Sequence, residues 1–189
     1  MDVIKQKICS VPNMLSILRL LLVPLLIGLA VAGKAEVFLA VLAVSLLSDA
    51  LDGYFARKLN QTTELGAKLD SWGDVLTYGA MIVDLYWIWP DVFTAQMWFL
   101  VAATLSFIVP VAHAFLKFGQ YPSYHTIGAK TAAVLMAPAF YSLTLLGWEL
   151  FFQAVIILHI VVAFEEMAIT SFLTKPRTNV STVLKVSRL

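Results

Sequence analysis

Four carboxylates stand at regular spacing in an otherwise apolar stretch: Asp49, Asp52, Asp70 and Asp74. Asp49 and Asp52 are three residues apart and Asp70 and Asp74 four, so each pair shares one face of a helix. Gly53 and Ala56 extend the first stripe, and Gly66 and Gly73 the second. Both stripes are therefore acidic and small. On adjacent helices they would gather four negative charges around one hollow, and like charges at that range cannot all ionise unless something neutralises them. An oxygen-only donor set suits a hard cation such as Mg²⁺ or Mn²⁺, and two divalent ions would balance four carboxylates.

The elements that position these residues are membrane helices. Of 189 residues, 60% are hydrophobic and 13% charged, with a mean hydropathy of +0.86; soluble domains carry about 25% charged residues. The expectation is an all-α integral membrane protein: a six-helix transmembrane bundle forming a single domain over 1–189. Its helices are placed at about 12–32, 36–56, 66–90, 96–115, 127–148 and 149–173, each near the ~20 residues that cross a ~30 Å hydrocarbon layer. Residues 1–11 read as a short interfacial segment and 174–189 as a tail. Pro24, Pro110 and Pro138 fall inside helices and are expected to bend them. Cys9 is the sole cysteine, which leaves no disulfide framework and no paired-cysteine zinc site. No cleaved signal peptide is expected.

Lysine and arginine placement sets the orientation. Lys5 and Lys7 precede the first helix, Arg57, Lys58 and Lys68 flank the second connection, Lys117 and Lys130 the fourth, and Lys175, Arg177, Lys185 and Arg188 follow the last helix. The other side has Lys34 alone, with Trp87, Trp89, Trp98 and Trp148 as an aromatic belt. Both termini are therefore read as cytoplasmic, and the aspartates fall at the cytoplasmic ends of helices 2 and 3. Asp84 and Asp91 lie near the opposite side and are not site candidates. Arg19, inside the first apolar run, is costly to bury and is expected to face the bundle interior.

The run from Asp49 to Asp74 resembles the signature of the CDP-alcohol phosphatidyltransferase family, D-x2-D-G-x2-A-R-x8-G-x3-D-x3-D. Asp49, Asp52, Gly53, Ala56, Arg57, Gly66, Asp70 and Asp74 match every fixed position with every gap intact. Pro12, Asn13, Ser16 and Arg19 resemble the Pro-Asn-x-x-Thr-x-x-Arg start of bacterial members, with Ser16 for the usual Thr. The resemblance implies transfer of a phosphatidyl group from CDP-diacylglycerol to a small alcohol, with release of CMP. It implies metal ligation by Asp49, Asp52, Asp70 and Asp74, with Asp74 also the general base. It places Gly53, Ala56 and Gly66 beside the nucleotide and Arg57 at a phosphate or in the loop. It also points to a bilayer-embedded enzyme of a bacterial inner or plasma membrane, raises a homodimer, and implies no nucleic-acid partner.

The acceptor stays open between glycerol 3-phosphate and serine. Phosphatidylglycerophosphate synthases usually show Asp-Pro-x-x-Asp-Lys where this chain has Asp70-Ser71-Trp72-Gly73-Asp74-Val75. Asp-Ser-x-x-Asp followed by Gly79 looks more like phosphatidylserine synthases. Lys117, Lys130, Lys175 and Arg177 are the candidates for an acceptor pocket, against the plain reading that they only set topology. Gly128-Ala129-Lys130-Thr131 loosely resembles a Gly-Lys-x-Lys-Thr segment of the family. Glu165 and Glu166 fall within helix 6, where they would shape the acceptor pocket or face a polar cavity. His113, His125 and His159 are expected to make ordinary hydrogen bonds. The alternative function is a divalent-cation transporter or channel that uses the intramembrane aspartates; it accounts for neither Gly53, Ala56 and Arg57 nor an acidic cluster confined to one face.

Overall fold

The computed structural model describes residues 10–59, 61, 63–119, 124, 126–177, 180, 182 and 183, with only the backbone of Arg57, Glu64 and Ala67. The expectations for residues 1–9, His125, Lys185, Arg188 and the Arg57 side chain lie outside this description. Among the described residues the architecture is all-helical. Six long helices run α1 (Val11–Val31), α2 (Ala35–Lys58), α3 (Glu64–Ile88), α4 (Pro90–Phe118), α5 (Ile127–Leu146) and α6 (Glu149–Phe172).

Local chemistry sets their ends. Pro12 sits in the first turn of α1, where its missing N–H costs nothing. Gly33, at φ +67°, reverses the chain between α1 and α2, and Gly147, at φ +66°, closes α5 in the left-handed conformation. Thr63 caps α3 by accepting from the Gly66 N–H at 2.9 Å, and Thr126 caps α5 by accepting from the Ala129 N–H at 3.0 Å. Pro90 opens α4, several residues before the hydropathy pattern places its start. Pro24, Pro110 and Pro138 all lie inside continuous helices.

Among the described residues four helices, α1, α4, α5 and α6, are long and apolar enough to span a membrane. The apolar residues that elsewhere would form a soluble surface point outward: Leu116, Leu150 and Trp98 are at least 80% exposed. That is the inversion expected where the solvent is hydrocarbon. The chain forms two compact units, Met1–Thr94 and Ala95–Leu189. In the first, α1 packs along both α2 and α3, while α2 and α3 touch each other little. In the second, α5 packs on α6, and Tyr124, Ile169, Leu173 and Val180 form a small apolar core.

Candidate active site

The site is built on the buried face of α1. Asn13, Ser16 and Arg19 recur at helical spacing and are each at most 2% exposed, followed by Val23, Leu26 and Ala30 one turn after another. The polar half of this stripe meets the acidic stripes of α2 and α3. Arg19 faces inward, as its cost in a membrane helix predicts. Its Nη1 donates to Asp49 Oδ1 and, at 3.1 Å, to Asp74 Oδ1. Its Nη2 donates to Asp70 Oδ1 at 2.7 Å and to Asp52 Oδ2 at 3.3 Å. One guanidinium thus touches all four signature aspartates.

The four aspartates are not equivalent. Asp49, Asp70 and Asp74 each bring one carboxylate oxygen within 4.8 Å of the others. Their side chains are 38%, 45% and 46% exposed, so the group is accessible to ions. Asp52 is 7% exposed, stands outside that group, and accepts from the Ser16 hydroxyl at 2.8 Å. Three half-open carboxylates with only oxygen donors are a donor set that can hold a hard divalent cation.

Beside the carboxylates lies a cavity of about 150 Å³, lined by Asn13, Ser16, Asp52, Gly53, Ala56, Gln61, Thr63, Gly66 and Asp70. Gly53, Ala56 and Gly66 of the signature are therefore all on its wall. Gly66 also packs tightly: a Cβ there would stand 2.6 Å from Asn13 Oδ1 and 3.0 Å from Thr63 Oγ1. Gly73 answers another need, since a Cβ there would stand 2.5 Å from Arg19 Nε. The missing side chain makes room for the guanidinium.

Ser16 and Thr63 have larger roles than the sequence suggests. Ser16 enters the sequence argument only as a substitute for Thr, yet it binds Asp52 directly. Thr63 caps the helix that carries Asp70 and Asp74, and its hydroxyl reaches Asn13 Oδ1 at 3.4 Å. The signal was available: Asn13, Ser16 and Arg19 are polar residues at helical spacing in an apolar run. Asp84, set aside in the sequence, is fully buried, and neither carboxylate oxygen has a partner among the described residues. Asp91 is exposed.

The four candidate acceptor cations, Lys117, Lys130, Lys175 and Arg177, belong to the second unit and are all exposed. Lys117 donates to the carbonyls of Thr170 and Ser171 at 2.9 and 2.8 Å, neutralising the C-terminal end of α6. Gly128 has a packing role, since a Cβ there would meet Val162 Cγ2 at 2.9 Å. Glu165 accepts from the Val183 N–H at 3.2 Å. His159 bonds its own helix through Val155 O at 3.0 Å, as expected, whereas the buried Nδ1 of His113 has no partner among the described residues.

The CDP-alcohol phosphatidyltransferase family model matches residues 9–171, and the chain belongs to that family. With four membrane-length apolar helices, it is an integral membrane protein. It is 40% identical over 74 residues to a CDP-diacylglycerol--glycerol-3-phosphate 3-phosphatidyltransferase of Aquifex aeolicus, covering 39% of this chain and 42% of that one. To a protein of the same name from Pseudomonas fluorescens it is 38% identical over 77 residues, 39% and 40% of the two chains. To a cardiolipin synthase (CMP-forming) of Streptomyces coelicolor it is 39% identical over 90 residues, 43% and 40% of the two chains. The chain thus spans less than half the length of each of these relatives. No solved structure matches it significantly. Family membership leaves the transporter reading without support.

Proposed function

We propose that the protein transfers a phosphatidyl group from CDP-diacylglycerol to a small alcohol and releases CMP. The observation that carries this reading is the meeting of Asp49, Asp70 and Asp74, drawn from two helices of one complete family signature, with Asp70 also on the wall of a cavity lined by the signature's small residues. Asp49, Asp52, Asp70 and Asp74 would hold Mg²⁺ or Mn²⁺, two ions when all four ligate. When bound, such ions neutralise a pyrophosphate and polarise the oxygens that attack and leave phosphorus. The chain's own groups do the rest. Gly53, Ala56 and Gly66 leave room for the nucleotide, and Arg57 would meet a phosphate or structure the loop. Asp74 takes the proton of the acceptor hydroxyl as the new P–O bond forms and the bond to CMP breaks.

The match runs through both compact units, which supports treating them as one catalytic domain. All six helices are read as spanning. At 1.5 Å per residue, α2 and α3, with 24 and 25 residues, reach about 36 Å or more, enough to cross despite their charges. The lysine and arginine distribution supports cytoplasmic termini and a site on that face of a bacterial inner membrane. Glycerol 3-phosphate is the first acceptor to test, because two of the relatives carry it in their names. Serine is the second, on the strength of Asp70-Ser71-Trp72-Gly73-Asp74 and Gly79. A phosphorylated acceptor would need cationic partners, for which Lys117, Lys130, Lys175 and Arg177 are the candidates.

The deciding experiment supplies the purified protein with CDP-diacylglycerol, Mn²⁺ or Mg²⁺ and one alcohol at a time. Acceptor-dependent CMP release with a matching lipid product is the expected result; no release with any alcohol would end the transferase reading. For a phosphorylated acceptor, Lys130→Ala or Arg177→Ala should raise the acceptor KM more than that of the lipid. Equal effects on both would return these residues to a purely topological role.

A further inference from the structure

Arg19 is placed where the carboxylates need a cation. It is 1% exposed, and its two terminal nitrogens reach Asp49, Asp74, Asp70 and Asp52. Three of these partners are the residues whose oxygens lie within 4.8 Å of one another. A divalent ion held by those residues would draw on the same three carboxylates that the Arg19 guanidinium already bonds. Gly73 keeps that arrangement possible, because a Cβ would stand 2.5 Å from Nε and 3.0 Å from Cζ. Nε itself, buried against Gly73, has no acceptor among the described residues.

From this juxtaposition we infer that Arg19 is a built-in counter-cation that competes with divalent metal for the Asp49–Asp70–Asp74 group, so that loading the site is an exchange in which the guanidinium gives up its carboxylate bonds. The inference rests on reading these aspartates as metal ligands. One guanidinium offsets one of four negative charges, so its pairing leaves the site strongly attractive to a second cation. Breaking bonds from a buried guanidinium to these half-exposed carboxylates still carries a cost, because it would leave the buried charge without its partners. A ligand whose competent state is only fractionally populated binds more weakly by that fraction. Arg19 thus lowers metal affinity while protecting the metal-free protein from the repulsion of its own aspartates. It acts as a positioning residue, through the carboxylates.

The test is direct Mn²⁺ binding to the full chain in detergent, read by electron paramagnetic resonance of free Mn²⁺, alongside thermal unfolding with and without the ion. Arg19→Gln should bind Mn²⁺ about 10-fold more tightly, as expected if the competent state is populated about one-tenth of the time in the parent. Its metal-free unfolding midpoint should fall below the parent's, and saturating Mn²⁺ should restore much of the difference. Gly73→Ala, which changes no charge but displaces the guanidinium, should tighten binding in the same direction by less. Arg19→Lys, which keeps the charge, should stay nearer the parent. A folded Arg19→Gln with unchanged or weaker Mn²⁺ binding overturns the competition and leaves the transferase reading standing. If Arg19→Gln does not fold, unchanged or weaker binding in Gly73→Ala overturns it. Absence of Mn²⁺ binding in the parent and every variant overturns both the competition and the metal reading.

Discussion

The two compact units differ in where their charged and polar groups find partners. In the second, hydroxyls mostly turn back on their own helices: Thr104 bonds Leu100 O, Thr131 bonds Ile127 O, Ser142 bonds Ala139 O and Thr144 bonds Phe140 O. Such bonds satisfy the group locally and ask nothing of a neighbouring element. In the first unit some hydroxyls also fold back, as Ser48 does on Ser45 O, but the bonds at the acidic group run between helices. Ser16 reaches Asp52, 36 positions away, and Arg19 reaches Asp74, 55 positions away. A membrane chain can carry hydroxyls almost anywhere if each folds back on a carbonyl. Charges that reach across helices need a matching partner on another element, and in the first unit that partner is the set of signature aspartates.

The largest expected effect breaks this comparison at its centre. Chelation should abolish CMP release, and Mg²⁺ or Mn²⁺ should restore it; full turnover in chelator would remove the metal from the mechanism. Asp74→Asn keeps the size of the side chain and much of its hydrogen bonding but removes its basicity. It should slow CMP release by about 10²–10⁴, the usual worth of general-base catalysis. Metal content must be measured on the same sample. Near-parental release with metal retained would pass the proton to another group.

How much of this was legible in the sequence differs between the same two regions. The six helices could be read in number and rough extent from runs near the ~20 residues of a membrane crossing, although only α1, α4, α5 and α6 are apolar enough to span and Pro90 starts α4 earlier than the pattern does. The four aspartates could be read because charges are rare in such runs. The inequality among them could not: Asp52 differs from the other three through Ser16, a contact set by how α1 lies on α2. Gly73 looked like one more small residue in a stripe, yet its value lies in the guanidinium of a residue 54 positions earlier. Lys117 looked like a candidate ligand for an acceptor, and the bonds it makes are to the end of α6. Spacing within a helix is written in the sequence; the partner across the groove is chosen by packing.

A smaller effect should come from Gly66→Ala. The added Cβ meets Asn13 Oδ1 at 2.6 Å, and Asn13 is 1% exposed, so the clash falls on a side chain with little room to yield. Overpacking of this kind costs about 1–3 kcal/mol. Thermal unfolding should show that loss together with a raised KM for CDP-diacylglycerol, because Gly66 also lines the cavity. Mn²⁺ affinity should change little, since no carboxylate is touched. A variant with parental stability and parental KM would show that α1 and α3 separate easily at this point and that the nucleotide does not pass Gly66.

The smallest effect sharpens the comparison most, because each unit contains the same device. Thr63 and Thr126 are both helix N-caps, with hydroxyls accepting from the N–H three residues on at 2.9 and 3.0 Å. Replacing either by Ala removes one hydrogen bond from a helix start, which typically costs about 1 kcal/mol. The two losses of stability should therefore be alike in thermal unfolding. Their effects on substrate should not. Thr63 lines the cavity, touches Asn13 and begins the helix that carries Asp70 and Asp74. Thr126 is buried at the start of α5 and has no place on that cavity. Thr63→Ala should raise the KM for CDP-diacylglycerol several-fold, and Thr126→Ala should leave that constant near the parental value once both are assayed well below their unfolding temperatures. Equal KM changes would mean that the cavity beside Asp52 and Asp70 is not where the nucleotide binds, or that fraying any helix start disturbs the site equally. Repeating the assay with Thr63→Ser, which restores the cap but not the methyl group, separates those outcomes: recovery of both stability and KM assigns the effect to the hydroxyl, whereas recovery of stability alone assigns the KM change to the lost methyl at the cavity wall.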